Sequence, residues 1–494
     1  MSTARHNLIS APGVATHDVE AVNDAKKRKL YKKREPIYPK LVHGKFRLAK
    51  WVFMVLALGA YYFIPFLRWD RGPSAPDQAV LIDFEGRRFY FFFIEIWPQE
   101  IYYVSGLLII AALALFLVSA LFGRVWCGYA CPQTVWTDLF IAVERLFEGD
   151  RNKRIKLDRA KWSFDKAWRK IGKHSVWLVI AAATGGAWIL YFHDAYDTLS
   201  HFFTGGSPIS AYLFFGVLTF TTYTLAGTMR EQVCIYMCPW PRIQAAMTDR
   251  DALNVAYRVD RGEPRGAHKK GESWEGRGDC IDCKACVAAC PMGIDIREGS
   301  QLECIQCALC IDACDDIMKK VDRPTGLISY DTDINIDRRQ AGLEPIYKFL
   351  RPRVLVYAFA LAIAGSIMLF GLTTRASLDV NVTRDRNPNF VQLSDGSVRN
   401  GYTLKVINRT HENREYRIAI DGPEGLEWRI LGQEETRGLT VDVPAERTQD
   451  FRIFLTVPRE AITASNQSVI FTVSPDGSDE SRTAETVFLS GGSR

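Results

Sequence analysis

The chain has 494 residues, with Lys+Arg 62 against Asp+Glu 56, and 48% hydrophobic and 12% aromatic residues, totals that suit an ordinary soluble protein of two or three domains. The average conceals five stretches free of Asp, Glu, Lys and Arg: Trp51–Leu67, Ile101–Gly123, Ser175–Phe192, Ser207–Met229 and Val354–Thr374. Each is about long enough to cross a hydrocarbon layer, which takes roughly 17 to 25 residues of helix. They exclude a purely soluble enzyme and a secreted disulfide scaffold, and predict a multi-pass membrane protein with large extramembrane parts.

Residues 1–45 are polar and basic and are expected to form a disordered tail. They are too long and too charged for the leader of a cleavable signal peptide. Lys26 to Lys50 carries eleven Lys or Arg and Arg124 to Lys173 twelve, whereas Arg68 to Glu100 carries four. Basic flanks stay on the cytoplasmic side, so the N-terminus is predicted inside a bacterial inner membrane. Residues 46–250 then form a membrane domain of four spans, 251–345 a cytoplasmic domain, 346–375 a fifth span and 376–494 a periplasmic domain.

Within the membrane domain, the aromatic run Phe89 to Trp97 reads as an interfacial or re-entrant segment. Cys127 and Cys131 follow the second span in Trp126-Cys-Gly-Tyr-Ala-Cys-Pro132, and Cys234 and Cys238 follow the fourth in Val233-Cys-Ile-Tyr-Met-Cys-Pro239. Both are C-x3-C-P. An i, i+4 pair on a helix faces one way, so two such pairs at one membrane depth can converge into a four-thiolate site. Soft thiolates suit Cu(I), Zn or a third iron–sulfur cluster; the bland reading is four inert buried cysteines. The basic stretch Arg151 to Lys173, with Trp162 and Trp168, suggests contact with anionic membrane lipids, and no nucleic-acid fold accompanies it. His193 and His201 bracket a loop that could hold a quinol or haem, or simply be solvated.

The cytoplasmic domain carries the strongest signal. Cys280, Cys283, Cys286 and Cys290 form C-x2-C-x2-C-x3-C before Pro291, and Cys304, Cys307, Cys310 and Cys314 repeat the spacing. This is the ligand run of a bacterial ferredoxin with two 4Fe-4S clusters, in which the fourth cysteine of each run serves the other cluster. Cys280, Cys283, Cys286 and Cys314 are therefore expected to hold one cluster, and Cys304, Cys307, Cys310 and Cys290 the other. Paired zinc knuckles share the C-x2-C element. Disulfides are disfavoured in a reducing compartment. Asp315 stands where the first run has Pro291, which predicts a different second turn. Eight acids between Gly278 and Met318 suit low potentials or a solvated face. After Arg375, runs of β-forming residues at Tyr402–Ile407, Tyr416–Ile420, Phe451–Val457, Val469–Val473 and Thr486–Leu489, separated by turn residues, predict an immunoglobulin-like sandwich.

The chain resembles the CcoG family, also called FixG or RdxA, accessory proteins of cbb3-type cytochrome c oxidase. The resemblance rests on Gln78 to Asp83, Trp97-Pro-Gln-Glu100, both C-x3-C-P motifs with Gln133-Thr134 and Trp240, the ferredoxin run, and Asn387-Pro388, Leu393 to Gly396 and Tyr402. It implies Cu(II) reduction to Cu(I) on the cytoplasmic side and copper delivery to the oxidase. The implied partners are copper ions, oxidase subunits or copper assembly factors, and a quinol or redox-protein donor, since no nicotinamide fingerprint is present. The competing readings are an assembly scaffold or copper-binding module with structural clusters, and a quinol-linked ferredoxin serving another acceptor.

Overall fold

A computed structural model describes residues 14–23, 35–72, 75–268, 272–410, 412–432, 440–477 and 480–491. The chain divides into two compact units, one of residues 1–67 and 78–368 and the other of residues 68–77 and 369–494.

In the first unit the long helices are α1 (Lys45–Phe63), α2 (Tyr102–Phe122), α4 (Pro132–Glu148), α6 (Phe164–Ile189), α8 (Ile209–Thr222) and α14 (Pro352–Thr373), with short α3 (Val125–Tyr129), α5 (Arg151–Arg159), α7 (Ala195–Phe202) and α9 (Trp240–Met247) between them. Among the described residues four segments, not the five expected, are long and apolar enough to cross a membrane: Lys45–Phe66, Pro98–Phe122, Ile209–Met229 and Pro352–Thr373. The segment Ser175–Phe192 falls short because α6 ends at Ile189 and its first half carries Lys166, Arg169, Lys170 and Lys173. Its apolar part, about fifteen residues at 1.5 Å each, is roughly 22 Å long against a hydrocarbon layer of ~30 Å. α6 packs closely on α8: a Cβ at Gly185 would come within 2.8 Å of the Phe215 carbonyl oxygen.

The aromatic run is a pair of strands. It forms β2 (Arg88–Phe91) and β3 (Ile94–Ile96), which join β1 (Val80–Asp83) in an antiparallel three-stranded sheet. Alternation decides this: Tyr90 and Glu95 turn inward and are buried while Phe93 is exposed. Arg88 lies over the Trp97 ring, 4.0 Å from its centroid. Gln78, fully buried, ties this end together, donating to Val80 O and Leu190 O and accepting from Ala195 N at 2.7–2.9 Å.

At the other end of the helices sits the two-motif domain, built on β4 (Asn254–Tyr257) paired with β5 (Ile328–Asp331), with α10 (Val259–Gly262), α11 (Ala285–Ala289), α12 (Leu309–Lys320) and α13 (Asp333–Gln340). Residues 1–13 and 24–34 of the expected tail lie outside the described residues. Residues 14–23 and 35–44 are not a free tail: His17 N donates to Cys283 O, Asn23 N to Gly293 O and Lys40 N to Ala288 O, at 2.8–3.1 Å. Val14 and Val42, both buried in the domain's core, explain why.

The second unit is the predicted sandwich. β10 (Glu427–Ile430), β12 (Thr448–Val457), β8 (Val398–Asn408) and β6 (Leu378–Arg384) form one sheet in that order, with β7 (Val391–Gln392) beside β8, and β11 (Thr440–Val443), β9 (Arg414–Asp421), β13 (Asn466–Pro475) and β14 (Arg482–Leu489) form the other. All five predicted runs are strands. Inward residues alternate along them, and Tyr402, Leu404, Tyr416, Ile453, Phe471 and Phe488 are fully buried. The unit holds no cysteine, so packing alone sustains it. Phe471→Ala is expected to cost about 3–5 kcal/mol, read as a lower denaturant midpoint for this unit's transition; an unchanged midpoint would contradict the described core.

Candidate metal centres

The eight ferredoxin cysteines lie in or against one buried core. Burial raises every thiol of the first set whose shift is resolved, and Cys314 is raised further by the charges of Cys286, Cys283 and Cys280. Cys290, pushed up to about 12 mainly by burial, feels Cys307 and Cys304, and Cys310 feels Cys307, Cys304, Cys290 and, last, Cys286 of the first set. Each run's fourth cysteine thus lies near thiols of the other run, the placement that crossed ligand sets require.

Backbone geometry shows why these loops suit a polyanionic cluster. Asp282 and Lys284 flank Cys283 with φ of 51° and 56°, and Gln306 and Ala308 flank Cys307 with 54° and 59°. These left-handed residues curl the chain so that successive amides point inward, a nest that stabilises negative charge. The amide of Gln306 points to Cys304 Sγ at 3.4 Å, those of Ala285 and Leu309 favour the thiolates of Cys283 and Cys307, and those of Met292 and Ile294 favour that of Cys290. Four soft thiols with amides turned toward them fit a 4Fe-4S cluster in each set. Among the described residues, the C-x3-C-P cysteines included, no three His, Cys, Asp or Glu side chains close on one point as a single-ion site does.

The two runs turn differently, as Asp315 suggests. Pro291 disfavours helix at Cys290, and α11 stops at Ala289, whereas α12 continues past Cys314 to Lys320. The acids are mostly engaged rather than solvated. Asp279 pairs with Arg261 and Arg323, Arg297 binds Asp282 and Asp295, and Asp315 accepts from Gly326 N at 2.8 Å. Asp312 accepts from Phe46 N at 3.3 Å and Arg47 N at 2.7 Å, so its carboxylate satisfies orphan amides at the start of α1.

The C-x3-C-P cysteines also come together, though not as i, i+4 pairs on one helix. α3 ends at Tyr129 and Cys131 caps α4, while Cys234 lies in a π-turn, Val233–Met237, that Cys238 ends. In each motif the second cysteine's amide reaches back five residues: Cys131 N to Trp126 O at 2.9 Å and Cys238 N to Val233 O at 2.8 Å. Four residues before each first cysteine stands a left-handed residue of matching conformation, Gly123 (φ 57°, ψ −122°) and Arg230 (φ 45°, ψ −113°). The two motifs are one local structure used twice. Burial raises Cys234 to about 12, helped by the charges of Cys131, Cys127 and Cys238, and raises Cys127 to about 11, with Arg124 opposing and Cys131 and Cys238 adding. The four thiols share one neighbourhood, in which Cys127 is buried, Cys131 and Cys234 half-buried and Cys238 exposed.

Other residues complete this site without any sequence motif to mark them. Cys127 Sγ donates to Gln244 Oε1 at 3.1 Å, and Gln244 Nε2 donates to Ser119 at 3.2 Å, so a fully buried amide on α9 orients a thiol on α3. The strained Arg230 is held by its Nε donating to Gly227 O at 2.8 Å and by an ion pair to buried Glu144. Glu144 also pairs with Arg154, and Glu148 with Lys170 and Lys173 at 2.9 Å. These bases of the Arg151–Lys173 stretch therefore point inward, whereas Trp162 and Trp168 are exposed. His201 is exposed and bonds to Ser200 and Asp197 beside it in its own helix.

The boundary site abuts the second ferredoxin set. Gly128 lies so close that a Cβ would be 2.7 Å from Ile305 O and 3.0 Å from Cys307 Cα, and Tyr129 donates to Cys307 O at 3.2 Å.

Known proteins agree with this architecture. Residues 229–333 match the model of a 4Fe-4S dicluster domain, 104–154 that of a 4Fe-4S binding domain, and 368–491 that of the IG-like fold at the C-terminal of FixG. The chain is 49% identical over 473 residues to nitrogen fixation protein FixG of Rhizobium meliloti, covering 90% of each chain. It is 52% identical to protein RdxA and 51% to protein RdxB of Cereibacter sphaeroides, covering 87% of this chain and 91% of each of theirs. A solved FixG-related protein from Vibrio parahaemolyticus matches 24% of this chain and 98% of its own at 22% identity, with a TM-score of 0.21. Iron–sulfur domains joined to membrane-length helices imply electron transfer at a membrane.

Cys290→Ser and Cys314→Ser should each remove one cluster and leave the other, so iron falls from about eight to about four per chain in either variant. Spectra showing the same cluster lost in both variants would contradict the crossed ligand sets.

Proposed function

This chain belongs to the FixG/RdxA family, and we propose that it is a membrane oxidoreductase that reduces Cu(II) to Cu(I) at the boundary thiols, for copper delivery to a cbb3-type cytochrome c oxidase. The observation that carries this reading is the gathering of Cys127, Cys131, Cys234 and Cys238 directly beside the Cys304–Cys307 loop. When bound, the two clusters supply one-electron carriers; the chemistry needed is Cu(II) + e⁻ → Cu(I). Thiols favour that direction because soft sulfur prefers Cu(I). Exposed Cys238 gives a metal ion its first ligand, and the buried thiols, rotating inward, complete the set. Gln244 holds the Cys127 thiol in place for this. The electron donor is a redox protein or a quinol.

The proposed arrangement, in which α6 returns the chain alongside α8 although its apolar part is shorter than the four membrane-length segments, puts the two-motif domain in the cytoplasm and the sandwich in the periplasm of a bacterial inner membrane, with the sandwich docking an oxidase subunit or copper assembly factor. Reporter fusions after Arg250 and after Ser377 should read inside and outside; the opposite pattern would return the cysteines to an oxidising compartment. A second reading is favoured by one observation: the 4Fe-4S binding model matched at 104–154 spans no cysteines except Cys127 and Cys131. On that reading the boundary thiols hold a third cluster, and iron approaches twelve per chain instead of about eight.

The test is the Cys127→Ser/Cys131→Ser variant, purified anaerobically with its ferredoxin signal intact. Cu(II) reduction should be lost and Cu(I) affinity lowered. Retained copper reduction after all four boundary cysteines are changed to serine, with both clusters present, would refute the site. A scaffold with structural clusters would instead keep oxidase yield in copper-replete cells.

A further inference from the structure

The start of α6 and the end of α8 form a groove that the boundary site does not use. It holds about 560 Å³, within the range of small-molecule sites. Trp162, Ile171 and Leu178 line it and are exposed, and two half-buried polar rings, His174 and Tyr223, line it with them. Tyr223 belongs to the membrane-length segment Ile209–Met229, roughly 9 Å from its end by helical rise. His174 follows directly on the bases Lys166, Arg169, Lys170 and Lys173 of α6. The groove therefore lies where the apolar layer gives way to charge, and its exposed apolar side chains make the bilayer the natural source of a ligand.

The polar groups distinguish this groove from a mere gap between helices. His174 Nδ1 and Tyr223 Oη are 2.8 Å apart. In the tautomer whose Nδ1–H donates to that oxygen, Nε2 is an acceptor, and among the described residues nothing bonds to it. The imidazole is also braced by Trp177, edge-on at 5.1 Å between centroids, which is buried and donates to Phe140 O at 3.1 Å. Lys170, the charged residue of the lining, is committed to Glu148 at 2.9 Å and Asp158 at 2.6 Å. Lys173, next to His174, is committed to Glu148 at 2.9 Å and Glu144 at 3.6 Å. Neither offers the groove a free charge. The helix itself changes at Tyr223, α-helical to Thr222 and π-helical from Tyr223 to Met229, a distortion frequent at functional sites. One neutral acceptor and one hydroxyl among apolar walls suit an uncharged aromatic ring that bears a hydroxyl and an apolar tail.

We propose that this groove binds the head group of a membrane quinol, its hydroxyl donating to His174 Nε2 and its tail lying among the exposed apolar side chains. The binding rests on the groove alone. The reaction it implies rests on the copper reading above and names its electron donor: QH2 + 2 Cu(II) → Q + 2 Cu(I) + 2 H⁺. The quinol is oxidised, each copper ion takes one electron, and the two protons leave in turn through His174 Nε2 to water. The location suits a donor site. Trp177, in contact with His174, lies 5.4 Å from the guanidinium of Arg230, and Arg230 lines a cavity together with Cys234 and with Ile305 of the second ferredoxin run. Packed protein thus joins the groove to the boundary thiols and to the ferredoxin.

Ligand binding to the full chain, purified in detergent without copper and with iron content checked, tests this. The probe is 2-heptyl-4-hydroxyquinoline N-oxide, a quinone head-group mimic whose fluorescence is quenched when it binds. Quenching should saturate as a single site, and decylubiquinone should reverse it while dioleoylphosphatidylglycerol does not. His174→Leu should weaken binding roughly tenfold, the worth of one hydrogen bond in an apolar site. Leu178→Trp, which fills the groove at an exposed position and leaves both polar rings in place, should abolish it, and decides alone if His174→Leu loses its iron. Quenching that does not saturate, that the phospholipid reverses as well as the quinone, or that an intact variant retains at wild-type strength would each overturn the proposal. Because no copper is present, such a failure leaves the copper reading standing with a redox protein as its donor.

Discussion

The backbone of Gly128 rests on the Cys304–Cys307 loop with no room for a side chain between them, and most of the first unit is arranged so that this contact can be made. The loop must be rigid, which its left-handed residues and inward amides provide. It must also be anchored to the helices. Asp312 binds the start of α1, a Cβ at Gly44 would collide with that carboxylate, Gln306 binds the turn after α2, and Leu253 N donates to Leu121 O at 3.0 Å. Each anchor satisfies a polar group that would otherwise be buried without a partner, at a cost of roughly 1–3 kcal/mol apiece. The result is one continuous body from membrane helices to ferredoxin, in which two sets of thiols are held at a fixed separation.

Repetition explains how the boundary site is made. Each span ends in a left-handed residue, a tight turn, the cysteine pair closed by a five-residue reach, and a proline that begins the next helix. Glycine occupies the left-handed position in the first copy at no steric cost. Arginine occupies it in the second, where the strain of about 1–3 kcal/mol is offset because the side chain holds buried Glu144. Removing that arginine would leave an unpaired carboxylate in the interior, the expensive case for a buried ion pair.

What the sequence disclosed divides along physical lines. The two ferredoxin runs were legible, because the spacing of ligands around a cube is a local constraint written into the chain. So were the five longest strand runs of the sandwich, whereas β10 and β11, of four residues each, carry too little pattern to stand out. Convergence of the C-x3-C-P pairs was legible from their duplication, but their conformation was not: the i, i+4 rule presumes an α-helix, and the chain uses π-type turns. The expected third span was misjudged in length because the apolar run extends beyond the end of α6. Gln244 escaped notice altogether, and Asp312 stood out only as one of eight acids. Their importance comes from partners more than a hundred residues away, which no local spacing encodes.

The central claim is that electrons held in the ferredoxin leave to copper at the boundary thiols. It is tested most directly by reducing the purified protein anaerobically, removing the reductant, and mixing it with excess Cu(II) while following cluster absorbance and Cu(I) together. The account predicts that the clusters reoxidise as Cu(I) appears, with about two Cu(I) formed per chain, one for each cluster. Clusters that stay reduced in the presence of Cu(II), with no Cu(I) formed, would contradict it.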